Sequence, residues 1–141
     1  MENASEPTST LPPVAPQEQT VVDFWSFARD HIGWANVQGL FGQQQASSVQ
    51  PPWMHLAGNA QDATERARLL IDHQTLELTE PITGYPDDGD LPERGDLAIV
   101  CDGNGRPVAL AATLEVRVVT EGEGADTMVT ETLRCLYPTA R

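Results

Sequence analysis

The sequence has no lysine: its 8 basic residues are all arginines, set against 21 acidic ones, for a formal net charge of −13. That balance excludes general affinity for nucleic acid, which grows with the number of phosphates neutralised. It also excludes mechanisms that need a lysine amine as general base or nucleophile. Cysteine is scarce as well. Cys101 in an apolar run and Cys135 near the end make no disulfide framework; they suit buried thiols in a reducing cytoplasm. No run approaches the ~18 apolar residues of a membrane span, and the start lacks the basic-then-apolar pattern of a secretory signal. His31, His55 and His73 are scattered, and Asp87, Asp88 and Asp90 lack the ligand spacing and closing glutamate of a calcium loop. Neither a metal nor a cofactor is expected.

The chain of 141 residues reads as one domain, long enough to bury roughly 65–70% of its unfolded surface. Residues 1–20 carry four prolines and three glutamates but no basic or aromatic side chain. Too little apolar surface is available there to offset the entropy of ordering, so a disordered tail is expected over 1–20 and the domain over 21–141. Thr20 and Asp23 resemble a helix start, with Val21, Phe24, Trp25 and Ala28 at helical spacing up to Gly33. Residues 35–52 read as a loop. Asn59 with Asp62 marks a second helix whose Ala60, Ala63, Ala67, Leu70 and Ile71 share a face. Its Arg66 and Arg68 are placed to pair with Asp62, Glu65 or Asp72. Gln74–Thr79 alternates as a strand, and residues 80–94 form an acidic, turn-rich, solvated loop.

The stretch Leu91–Val119 organises the rest. Leu97, Ala98, Ile99, Val100 and Cys101 form an apolar run expected to be a buried strand. Asp102-Gly103-Asn104-Gly105 holds two overlapping turn dipeptides whose glycines supply positive φ. Pro107 opens the return strand, where its missing N–H is tolerated. From Leu114 the pattern alternates, with Leu114, Val116 and Val118 on one face and Glu115, Arg117 and Val119 on the other.

The same stretch resembles the ASCH family, small β-barrels related to the PUA RNA-binding fold. The resemblance rests on Leu91, Pro92, Gly95, Asp96, Asp102, Gly103, Gly105, Pro107, Glu115, Val116 and the run Glu121–Gly124, which follow the family pattern in order. Phe24-Trp25 and Trp53 sit where longer bacterial members carry an early Phe-Trp and a later Trp. The resemblance is firm from Leu91 to Gly124 and looser from Phe24 to Arg134. It implies an α+β fold: a single PUA-like β-barrel of about five or six strands with helices packed on it. It also implies that a helix follows the Glu-Gly-Glu-Gly run.

Some small ASCH proteins remove the acetyl group from acetylcytidine, using a Gly-x-Lys-x-x-Thr stretch after the second helix and a glutamate of the Glu-x-Glu segment. In this chain that stretch falls on Asp72-His73-Gln74-Thr75-Leu76-Glu77. Gln74 stands at the lysine position and Glu77 at the threonine position; Glu123 alone matches. Thr75 should share a strand face with Glu77. The resemblance therefore implies a binding module for RNA or a modified nucleoside, without the lysine-dependent chemistry. The ligand-binding candidates are Gln74, Thr75, Glu77, Arg106, Glu115 and Glu123. The alternative is an amidohydrolase on acetylated cytidine with a rearranged Thr75/Glu77/Glu123 catalytic set. A third reading is an interaction protein with no ligand.

Overall fold

The computed structural model describes residues 11–32, 49–85, 91–120, 122–124 and 126–139. Two helices, α1 (Glu18–Ala28) and α2 (Ala60–His73), accompany strands β1 (Trp53–His55), β2 (Thr75–Pro81), β3 (Leu97–Cys101), β4 (Pro107–Thr120) and β5 (Thr127–Tyr137). The strands form a five-stranded mixed sheet in the order β1-β3-β4-β5-β2, parallel only between β1 and β3. The sheet curls into a half-barrel. The α+β class stands. The closed barrel does not: among the described residues β1 and β2 are the two edges, and three-residue β1 is too short to seal against seven-residue β2.

A helix packs on each face of the sheet centre, and this explains the apolar runs. Val21, Trp25 and Ala28 of α1 bury against Ile99, Leu110, Ala112 and Leu136. Ala67 and Leu70 of α2, with Leu56, bury against Val100, Ala109, Ala111, Leu133 and Cys135. Strands covered on both faces have no polar alternation to show. Past Thr113, β4 reverts to alternating burial through Leu114, Glu115, Val116 and Arg117. A register shift between Thr113 and Glu115 inserts Leu114, which packs with the α1 cluster.

The β3–β4 hairpin follows the sequence, with a different division of labour between its glycines. Gly105 has φ of 84°, whereas Gly103 is needed for space: a Cβ there would lie 2.0 Å from the Ala60 carbonyl oxygen. Asp102 Oδ1 accepts the amides of Asn104 (2.9 Å) and Arg106 (3.0 Å), which fixes the turn. Asn59 caps α2, its Oδ1 accepting from the Asp62 amide at 2.8 Å.

Three expectations change. Residues 127–137 form strand β5, not a helix; Gly122 and Gly124, at φ 85° and 80°, turn the chain back to pair with β4. Three-residue β1 arises within what reads as loop and helix approach. The tail is ordered from Leu11 onward: the Leu11 carbonyl accepts from Ala60 N (2.8 Å), and Val14 N donates to the Gly103 carbonyl (3.0 Å). Leu11 and Val14 stay exposed, so backbone hydrogen bonding rather than apolar burial holds this segment, and composition does not report it. Helix α1 accordingly starts at Glu18, and Thr20 lies inside it. Residues 1–10 and 86–90 lie outside the described residues, as do most of the 35–52 loop and Glu121.

Candidate functional site

On the α2 face, beyond the end of that helix, a cleft of about 520 Å³ opens among β1, β2, β3, β5 and the segment leading into β3. Strand pairing gathers its walls. Leu78 stands opposite Glu131, and Thr113 stands opposite Leu133; residues paired this way point to one face. Leu91, Pro92 and Asp96 form the rim. Gly95 makes the bend there, at φ 95°. Its amide donates to the Thr113 carbonyl (2.8 Å), and the Thr113 amide donates to the Asp96 carbonyl (2.9 Å). Asp96 Oδ2 accepts from the Glu93 amide at 2.9 Å and closes the turn.

At the centre of the cleft Thr113, 2% exposed, donates its hydroxyl proton to Glu131 Oε2 at 2.7 Å. Burial raises the Glu131 pKa above the usual carboxylate range. The Thr113 hydrogen bond opposes that rise, while the charges of Asp96 and Glu80 add to it. The Tyr85 phenol is also pushed up, first by burial and then by Glu80 and Glu131. A shielded carboxylate of this kind exchanges a proton closer to neutral pH than an exposed one. The Thr113 hydroxyl is committed to holding Glu131 and is nearly closed to a ligand. Among the described residues no arginine lines the cleft; its carboxylates, with the Tyr85 hydroxyl and His55, are set in leucine and methionine walls.

None of the six residues singled out from the sequence lines this cleft. Gln74 takes a left-handed conformation, φ 67°, at the end of α2. Its Nε2 donates to the carbonyls of Ile71 (2.8 Å) and Pro138 (3.2 Å), so it ties the helix end to the end of β5. Thr75 and Glu77 do share a face, but it is the exposed one, opposite in sense to Leu76 and Leu78. Glu77 and Glu115 both stand across from Thr132, and Arg117 reaches each, at 3.4 and 3.9 Å. These contacts are solvent-screened surface pairs. Arg106 sits on the hairpin turn with Nε 3.4 Å from Asp102 Oδ2. Glu123 is exposed in the β4–β5 turn, beyond the Thr120–Thr127 pair and roughly 15 Å along the strands from Thr132. The proposed Thr75/Glu77/Glu123 set is thus not gathered in one place.

The residues that are gathered carried faint signals. Glu131 lies in a stretch rich in β-branched residues, TMVTETLRCLY, whose alternation marks a strand once the preceding glycines are read as a hairpin turn. Thr113 is the polar residue that ends the run VALAAT. Leu91, Pro92 and Asp96 belong to the motif that carried the resemblance, and three of its members line the cleft.

No protein-family model matches the sequence, and no curated protein matches it. The structure does find relatives in shape. It superposes on the crystal structure of an ASCH domain from Lactobacillus crispatus JV V101 with a TM-score of 0.65 at 12% identity, covering 86% of this chain and 96% of that one. The fold is that of an ASCH-type domain. A protein from Enterococcus faecalis V583 is also similar, with a TM-score of 0.58 at 14% identity over 89% of this chain and 99% of that one. Identities this low speak to the fold alone.

Proposed function

We propose that this ASCH-type domain is a binding module for a nucleoside, free or as one unpaired nucleotide of an RNA, held in the cleft between Leu78 and the Leu91–Asp96 rim. The observation that supports this reading most is the cleft itself. Its volume of about 520 Å³ falls in the range of small-molecule sites, ~300–1,000 Å³. Apolar side chains flank a few fixed acceptors, the arrangement that grips a flat ring by its faces and reads its edge. Phosphate recognition contributes little, because the net charge is −13 and among the described residues the cleft lining holds no arginine. An amide hydrolase built on Thr75, Glu77 and Glu123 gains no support from their positions.

The test is a titration of isotopically labelled protein with the four ribonucleosides and acetylcytidine, followed by amide NMR shifts. At least one should give saturable shifts at Leu78, Ala98, Thr113 and Glu131. Ala98→Phe, which fills the cleft, should remove them while the circular dichroism spectrum stays the same. Absence of saturable shifts, or shifts confined to Thr75, Glu77 and Glu115 on the outer face, would overturn the reading.

A further inference from the structure

The polar groups of the cleft are unbalanced. Glu80 from β2, Asp96 from the rim and Glu131 from β5 supply carboxylates, and Tyr85 supplies a hydroxyl; no arginine lines the cleft among the described residues. Three of the donors around the cleft are already engaged. The Thr113 hydroxyl holds one oxygen of Glu131, the Glu93 amide holds one oxygen of Asp96, and His55 Nε2 sits 2.9 Å from the Val14 carbonyl, turned to the N-terminal segment. Glu80 and Asp96 are exposed, but half-buried Glu131 keeps a further oxygen, and an acceptor without a donor in a partly desolvated site is costly. The acids are also close enough for Asp96 and Glu80 to disfavour ionisation of Glu131. A ligand that supplied positive charge would relieve both deficits at once. Among the described residues these acids do not gather into a metal-ligating group, and the leucine walls between them favour an organic cation over a bare ion.

We infer that the group entering the cleft is a cationic, donor-bearing planar ring, such as an N-alkylated or protonated heteroaromatic base, and that Glu131 and Glu80 are its charge-reading residues. This rests on the cleft being the nucleoside site and adds the class of base it selects. Thr113 is a positioning residue, since it fixes one oxygen of Glu131 and aims the other. A phosphate or carboxylate in the cleft would meet acceptors of its own sign, so any phosphate of the ligand stays at the rim.

Benzamidine, benzamide and benzoate offer one shape at three charges. Calorimetric titration should find benzamidine at least about tenfold tighter than benzamide, the scale of one charge-assisted hydrogen bond, with no binding of benzoate. Glu131→Gln with Glu80→Gln should narrow that preference to less than about threefold. Adenosine and its N1-methylated cation complete the experiment, the cation binding at least about tenfold tighter. Equal affinity for benzamidine and benzamide, or a preference unchanged in the double variant, overturns the inference. If neutral adenosine binds as tightly as its cation, the charge inference falls and the nucleoside reading stands. If benzamidine shows its preference while neither nucleoside binds, the nucleoside reading falls and charge selection stands.

Discussion

Glu131 links the site to stability. Its folded-state pKa is raised, chiefly by burial, so the folded chain holds a proton that the unfolded chain releases. The stabilisation is full below the ordinary carboxylate pKa, ~4.3, and is lost as pH rises through the higher folded value. Glu80, Asp96, Tyr85 and Thr113 face it, and of these the two acids push in the same direction. Glu131→Gln removes the ionisation but keeps an acceptor for Thr113. It should raise the melting temperature at pH 7 and make no difference near pH ~4; a variant less stable than the parent at pH 7 would show that the carboxylate is not penalised there. Cys101 and Cys135 are driven by burial in the opposite functional sense. Both thiols are pushed up to about 11, which suppresses the reactive thiolate and leaves them as packing residues.

At the scale of elements, the β3–β4 turn is the joint of the molecule. Gly103 lies against the first turn of α2: its amide donates to Thr64 Oγ1 at 2.8 Å and its carbonyl accepts from Val14 at 3.0 Å. One short turn thus binds the helix, the N-terminal segment and the central hairpin together. Gly103→Ala would set a Cβ 2.0 Å from the Ala60 carbonyl oxygen, against helix backbone rather than a flexible side chain that could yield. Urea denaturation should register a loss of roughly 3 kcal/mol. Gly122→Ala makes a fair comparison, since nothing lies within 4 Å there and only the positive φ of 85° opposes it; its loss should be about 1 kcal/mol. Equal losses would mean that turn strain, not the close approach to α2, governs position 103.

The whole molecule presents an acidic exterior and an acidic cleft. With a net charge of −13, binding to arbitrary single-stranded RNA at physiological salt should be weaker than ~10⁻⁴ M. Micromolar binding in a fluorescence-anisotropy titration would reveal a clustered arginine surface that outweighs the total charge. Recognition of RNA by this domain is therefore expected to depend on one base entering the cleft rather than on the phosphate track. No helix among the described residues is long and apolar enough to cross a membrane.

The sequence by itself determined the local elements whose cause is local. The β3–β4 hairpin follows from two apolar runs around Asp102-Gly103-Asn104-Gly105, and helix α2 follows from the Asn59 cap and the spacing of Ala63, Ala67 and Leu70. Even the shared face of Thr75 and Glu77 was legible, because strand period is a property of the backbone. Which face turned inward was not. Leu78 and Glu80 enter the cleft because β2 pairs with β5 in a register that sets Leu78 beside Glu131, and β5 itself exists as a strand only because β4 offers it a partner. Thr113 and Glu131 are 18 positions apart and meet at 2.7 Å; their contact belongs to the pairing of strands across the sheet, a nonlocal choice that no short window of sequence contains. The ordered segment from Leu11 makes the same point. Its hydrogen bonds reach Ala60 and Gly103, groups that only the assembled fold brings within range.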